Sequence, residues 1–352
     1  MRTTKQKRGE EGLVAILVST IIMIILSLIT LGFARLMQNE QRQALDRSLS
    51  TQAFYAAESA VNDAVRQIQD TVTPYTFDKT TCAQGGTPFT GSVDRAIGAQ
   101  YTCLLIDQTP STLEYTQGSI STAASKIIPI NSENNSLIGQ IRFAWEDSKN
   151  TAPVFACPAS PSLPTFSGWN SLTPGILRLD VIPADALDRA SLINNTLSLY
   201  LYPTSAGCNG VGTTVINYSA HNDPTEKGQI VKVNCSAGGT PRDCEVIISM
   251  DGASSNKKYY VRAKSIYRAS DMTVRIFDTA PTPNQLAIRG AQVLIDATGK
   301  VNDVLRRVQV RVPVIKSYPV PEFVLQTTDS ICKQIQVAPA PANLVDNSAC
   351  PL

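Results

Sequence analysis

One stretch limits what this chain can become. Leu13 to Ala34, LVAILVSTIIMIILSLITLGFA, contains no charged residue and no proline. At about 1.5 Å per residue, a helix of this length reaches roughly 30 Å, the thickness of a bilayer hydrocarbon core. In lipid every backbone N–H and C=O must be satisfied inside the segment, so a single span of this kind is a helix. The preceding MRTTKQKRGEEG holds Arg2, Lys5, Lys7 and Arg8. That positive charge predicts a single-pass protein with its N-terminus in the cytoplasm and the rest of the chain outside the cytoplasmic membrane. A secretory signal peptide fits poorly, because the run is long for an h-region and no A-x-A site follows it. A plain signal anchor remains open.

The helix does not stop at the span. Arg35 to Asp70 contains neither glycine nor proline. Its apolar residues are Leu45, Leu49, Ala53, Ala56, Ala57, Ala60, Val61, Ala64, Val65 and Ile68, the three-and-four spacing of one helix face. Arg42, Asp46, Arg47, Glu58, Asp63 and Arg66 fill much of the remainder. The spacing predicts one continuous helix closed by Pro74, roughly 80–90 Å long at 1.5 Å per residue. Its first part (13–34) is apolar all round. Its second part (35–70) offers one small-residue face for other structure to cover.

With these blocks in view, the chain resembles the type IV pilin-like proteins, and within them the PilX-type minor pilins and the related large GspK-like pseudopilins. The motifs that carry the likeness are the basic leader ending Arg8 to Gly12, the aliphatic run, and the block Phe54 to Ala60 within QAFYAAESAV. The resemblance implies that a prepilin peptidase cuts between Gly12 and Leu13, leaving an N-methylated Leu13. A cut after Gly9 would leave Glu10 and Glu11 at the head of a membrane segment, an expensive placement. The resemblance also implies as partners an inner-membrane assembly platform and other pilins that pack on the N-terminal helix, with membrane lipid around that helix before assembly. It further implies a cell-surface location in a pilus, and a C-terminal sheet laid on the helix. Major pilins carry Glu at the fifth mature position; here that position is Leu17. An uncompensated charge at membrane depth is costly, so a subunit without it needs no charged neighbour above. The resemblance implies that a subunit with this departure sits at the tip or initiates the fibre.

Eight cysteines, Cys82, Cys103, Cys157, Cys208, Cys235, Cys244, Cys332 and Cys350, all follow the apolar run. An even number on the outer side of a membrane segment reads as disulfides formed in an oxidising space. Zinc is the rival, against which stand the lack of any CxxC pair and a single histidine, His221. Pairing of sequence neighbours is the expectation, firmest for Cys235 with Cys244, which flank the Gly-Gly-Thr-Pro turn of NCSAGGTPRDC. Catalysis finds little footing. His221 lies in the turn-like SAHNDPTEKG, and no P-loop, GxGxxG, HExxH or EF-hand loop appears. Asp147 and Asp223 lack the ligand spacing of a Ca2+ loop. No catalytic residue, metal ligand or cofactor is assigned. A membrane-anchored hydrolase whose residues escape the sequence is the distant enzymatic alternative.

The expected fold class is α+β: a long N-terminal helix packed on a β-rich, disulfide-braced head with an antiparallel C-terminal sheet. Short alternating runs between turn clusters predict strands through 71–256, interrupted by a Pro/Ser-rich loop at 147–174. Residues 257–318 predict a four-stranded antiparallel sheet, with a turn at Thr298-Gly299-Lys300 and Val308, Val310, Val312 and Val314 on the face that covers the helix alanines. A Pro-rich tail, 319–352, follows. Residues 257–316 carry 12 Lys/Arg against 4 Asp/Glu, and 13–256 carry 14 against 20. The basic strand residues Arg262, Lys264, Arg268, Arg275, Arg306, Arg307 and Arg311 interleave with Tyr259, Tyr260, Tyr267 and Phe277. Such a pattern suits DNA, where phosphates need positive charge and bases stack on exposed rings. It equally suits the solvated face of an ordinary sheet. The functional expectation is a structural pilin subunit. A secretion pseudopilin is the alternative, as is a signal-anchored adhesin or DNA receptor that binds a host-cell surface ligand or DNA without entering a filament.

Overall fold

The computed structural model describes residues 11–70, 80–82, 90–149, 152–159, 161, 164–185, 187–221, 229–238, 242–250 and 258–314. The leader before Glu11, Pro74, Asp223, the tail, and Cys332 with Cys350 lie outside these, as do the side chains of Leu13 and His221 and the surroundings of Gly12. In chain order the elements begin with α1 (Glu11–Asp70), β1 (Gly91–Asp94), β2 (Ala99–Asp107), β3 (Thr112–Ile120), β4 (Lys126–Ser132) and β5 (Gln140–Asp147). After a short 3-10 turn come β6 (Ile176–Pro183), α2 (Arg189–Asn195), β7 (Leu197–Ser205), β8 (Thr214–Asn217), α3 (Tyr218–His221), β9 (Gln229–Cys235) and β10 (Cys244–Ser249). The chain continues with β11 (Lys258–Ile266), β12 (Ser270–Phe277), β13 (Gln285–Leu286), β14 (Ile288–Arg289), β15 (Gln292–Val301) and β16 (Val304–Pro313). The fold is α+β, with a long apolar N-terminal helix, strand-rich structure and, among the described residues, three disulfides.

Two units divide the chain, one made from residues up to Pro110 with Arg289–Val314, the other from Ser111–Ile288. In the first, α1 is a single helix of 60 residues. Four antiparallel strands in the order β1-β2-β15-β16 pack on its second half. The core holds Ala57, Ala60, Val61, Ala64 and Ile68 from the helix, Tyr101, Leu104 and Ile106 from β2, and Val293, Ile295 and Ala297 from β15. Val308, Val310, Val312 and Val314 pack against it half-buried, because alternation puts every second residue of β16 on one face. A smaller cluster of Ala53, Ala99 and Val301, with Leu49 and Val304, carries the packing one turn further up the helix.

The second unit is built on a 12-stranded sheet in the order β13-β12-β5-β10-β9-β7-β6-β11-β4-β14, with β3 also pairing β12 and β8 pairing β10. β7 pairs β9 and β8 pairs β10 in parallel, while β5, β6, β11 and β12 pair their neighbours antiparallel. Trp145, Tyr259, Phe143, Leu113, Ile128 and Ile141 are among its fully buried side chains. Disulfides join Cys157 to Cys208 and Cys235 to Cys244 in this unit, and Cys82 to Cys103 in the first. Cys235 and Cys244 are direct partners across β9 and β10.

Three expectations change. The strands of 257–316 do not form one sheet: β11 and β12 belong to the large sheet, while β15 and β16 join β2 on the helix. The turn expected at Thr298-Gly299-Lys300 is absent, for β15 runs through to Val301 and the hairpin closes at Asn302 and Asp303. Asn302 has φ 52°, a conformation that asparagine tolerates better than most residues. Leu45 is 59% exposed and is not part of the packed face. The β15–β16 hairpin ends level with Leu49 and Ala53, so the helix above that point has no sheet to cover it.

Loop-closure entropy ranks two of the disulfides. Replacing Cys157 and Cys208 by Ala, which opens a separation of 51 residues, is expected to cost about 4 kcal/mol, and opening the nine-residue Cys235–Cys244 closure about 2.5 kcal/mol. Denaturant titration of both variants checks the order.

Candidate assembly interface on the N-terminal helix

The upper part of α1 is a bare apolar rod. From Val14 to Met37 each large aliphatic or aromatic side chain is exposed, from 47% at Val18 and Ile21 to 70% at Met23. Among the described residues it is the one helix long and apolar enough to cross a membrane, and none of its apolar window is buried. Its few hydroxyls are satisfied internally. Ser19 donates to the Ile16 carbonyl at 2.9 Å, Thr20 to Leu17 at 2.8 Å, Ser27 to Met23 at 2.8 Å and Thr30 to Ser27 at 2.9 Å. Back-bonding of this kind gives each of these hydroxyls a partner within the helix. Leu17, at the fifth position counted from Leu13, is 54% exposed like its neighbours.

Lower down, the alanine face becomes a joint. Ala53, Ala57, Ala60 and Ala64 are fully buried and Ala56 is 1% exposed. Small side chains let a strand lie directly on the helix backbone, and the residue that completes the contact is Gly299. A Cβ there would stand 2.1 Å from the Ala53 carbonyl oxygen and 2.5 Å from the Ala57 nitrogen. The register of β15 with β2 shifts between Thr298 and Gly299, so this glycine marks a bulge and a close approach at once. Polar groups fix the rotation of the sheet on the helix. The Tyr101 hydroxyl donates to Asp63 Oδ2 at 3.2 Å, and Arg306 Nε donates to Ser50 Oγ at 2.7 Å. Burial first, and the Asp63 carboxylate second, push the Tyr101 phenol above its usual pKa. Phe54 and Tyr55, 45% and 60% exposed with their rings edge-on at 6.0 Å, point off the packed face.

The basic residues are largely spent within the fold. Arg262 donates to Asp180 at 2.8 Å, Arg275 to Glu245 at 2.8 Å, Arg268 to Asp147, and Arg307 forks onto Asp296. Lys264 reaches the Ala123 carbonyl at 3.4 Å. The rings expected to stack on bases are not generally available: Tyr259 is fully buried, and Phe277 is 8% exposed beneath the Arg142 guanidinium. These residues also fall in both units, with Arg306, Arg307 and Arg311 in the helix-bearing one and the others in the strand-rich one. Sequence reasoning missed Gly299, Tyr101 and Asp63 as joint residues. A glycine inside an alternating run was the available signal for the first.

No protein-family model matches the chain, and comparison with curated proteins and with solved structures finds no significant match either.

Proposed function

We propose that this chain is a structural subunit of a type IV pilus, a PilX-like minor pilin, built into the fibre through α1 after a prepilin peptidase cuts between Gly12 and Leu13. The observation that supports this most is the unequal helix. One half is tied to a sheet by backbone-close packing, and the other presents aliphatic side chains on all sides. An ordinary membrane anchor has no need of a rigid continuation docked on folded structure, whereas a subunit that transmits position along a fibre does. The mechanism is assembly, and no enzymatic step belongs to it. The rod partitions in lipid until it packs against equivalent helices of other pilins, delivered by the assembly platform. Apolar area leaving lipid gains little by itself, so close van der Waals packing of the rods holds the joint. The absence of Glu at Leu17 suits a tip or initiating position.

Mass spectrometry of the mature N-terminus tests the reading. A chain that begins at methylated Leu13 and co-purifies with pilus fibres is the expected result. An intact Met1 would assign the protein to signal-anchored surface proteins instead, and co-purification with a secretion apparatus would make it a pseudopilin.

A further inference from the structure

On the strand-rich unit four aromatic rings stand in a row. Phe166 and Trp169 come from the 3-10 turn and its C-cap, Tyr202 from β7, and Tyr267 from the β11–β12 turn. Phe166 and Tyr267 have centroids 6.5 Å apart; Tyr267 and Trp169 stack at 4.6 Å with planes 10° apart; Trp169 meets Tyr202 edge-on at 5.3 Å. The plainest account is that these rings pin the Pro/Ser-rich connection to the sheet. That account covers Trp169 but leaves two facts over. Phe166 is 76% exposed, so its ring adds little to any core. Tyr267 has φ 72°, a left-handed backbone that is costly for a bulky aromatic and that glycine would occupy without strain. The ring kept at that cost stacks on Trp169 and reaches the Pro164 carbonyl, which holds the row, and the exposed Phe166 beside it, in a fixed place.

The row is also held firmly. The Cys157–Cys208 disulfide ties down the connection. Thr173 Oγ1 donates to the Val154 carbonyl at 2.8 Å, the Trp169 indole N–H donates to the Thr173 carbonyl at 3.3 Å, and the Tyr267 hydroxyl donates to the Pro164 carbonyl. A surface fixed before its ligand arrives loses less entropy on binding. None of the four rings carries a charge, and Arg268, beside Tyr267, is bound to the Asp147 carboxylate. Exposed Ser167 and Asn170 border the rings, and the Tyr202 hydroxyl has no hydrogen-bond partner among the described residues. The exposed Phe166 ring, edged by uncharged hydroxyl and amide groups, matches a molecule that is apolar on one face, rich in hydroxyls at its rim, and neutral.

We propose that this row is a binding platform for a neutral oligosaccharide, with the exposed Phe166 ring as the stacking surface, the Tyr202 hydroxyl and Asn170 amide as polar contacts, and Trp169, already stacked on Tyr267, as the neighbouring reporter ring. It stands whether or not the chain is built into a fibre. The test uses the full chain in phospholipid nanodiscs, titrated with cellotetraose, maltotetraose and fully N-acetylated chitotetraose. Intrinsic fluorescence reports on the site, because the chain has two tryptophans and the other, Trp145, is fully buried. A saturable change with at least one of these sugars, insensitive to salt, is expected. Phe166→Ala, at a site too exposed to disturb folding, weakens it about tenfold. Tyr202→Phe weakens it about threefold, the loss of a single hydroxyl contact. No saturable change with any of the three sugars overturns the assignment, as does a response that Phe166→Ala leaves intact. A response to a proline-rich decapeptide in place of the sugars overturns it equally.

Discussion

Gly299→Ala is expected to release the sheet from the N-terminal helix, with a loss of about 3 kcal/mol or more in the stability of that unit. A single added carbon is enough, since it would sit 2.1 Å from the Ala53 carbonyl oxygen and 2.5 Å from the Ala57 nitrogen. Both are backbone atoms of an unbroken helix, and neither can swing aside as the end of a side chain would. Relief requires the strand to lift, and lifting it uncovers Ala57, Ala60 and Ala64 together with Ile295 and Ala297 across from them. Apolar surface returned to water costs about 25 cal/mol per Å2, so a partial lift is itself expensive. Gly299→Val adds two methyl groups to the same collision and should be worse. The control is Gly32→Ala in the exposed rod, where nothing lies within 4 Å of an added Cβ and the helix should gain up to about 1 kcal/mol. Thermal unfolding in lipid nanodiscs and protease cleavage after residues of β15 and β16 read the difference. If Gly299→Ala unfolds and resists protease like the parent, the helix–sheet contact is looser than described, and the joint loses its place in the assembly reading.

The same glycine shows what a sequence withholds. Alternation made β15 and β16 legible as strands, and it set the inward face of Val308, Val310 and Val312. Gly299 itself read as a turn, since a local rule cannot tell a glycine that bends the chain from one that lets another backbone come near. The long helix was readable to within a few residues, because a missing breaker and a three-and-four spacing are local properties. The placement of β11 and β12 in one sheet and β15 and β16 in another was not. Strand partners lie far off in sequence, Arg262 opposite Asp180 and Thr298 opposite Cys103, and alternation names a face but never a neighbour. The basic strands misled for a related reason. The carboxylates that bind Arg268 and Arg262 sit 121 and 82 positions away, so a run of positive charge in sequence is compensated by residues that only folding brings up. Neighbouring cysteines could be paired by proximity along the chain, as Cys235 and Cys244 are across adjacent strands.

Trp145→Ala should take the largest share of stability from the strand-rich unit, about 3–5 kcal/mol. Trp145 lies on β5 between Met272 of β12 and Cys244 of β10, with no exposed surface. Its indole N–H donates to the Gly175 carbonyl at 3.1 Å, linking the sheet's interior to the start of β6. The backbone at Gly175 has little free space around it, for a Cβ there would stand 2.4 Å from the Arg268 carbonyl oxygen and 2.5 Å from the Ser265 hydroxyl oxygen, which limits collapse toward the shrunken side chain. The void therefore stays largely open, which places the cost toward the upper end of the range. Trp145→Phe separates the two contributions. It keeps much of the volume and removes the hydrogen-bond donor, leaving a buried carbonyl without its partner, a loss of about 1–3 kcal/mol. The order wild type, Phe, Ala in denaturant midpoint is the expected result, read by circular dichroism because the substitution removes one of the two fluorophores. A domain of ordinary stability has only about 5–15 kcal/mol to lose, so Trp145→Ala should also lower the yield of folded protein while Trp145→Phe does not. Equal midpoints for the two variants would mean that the hydrogen bond to Gly175, and not the filled volume, is what the indole contributes.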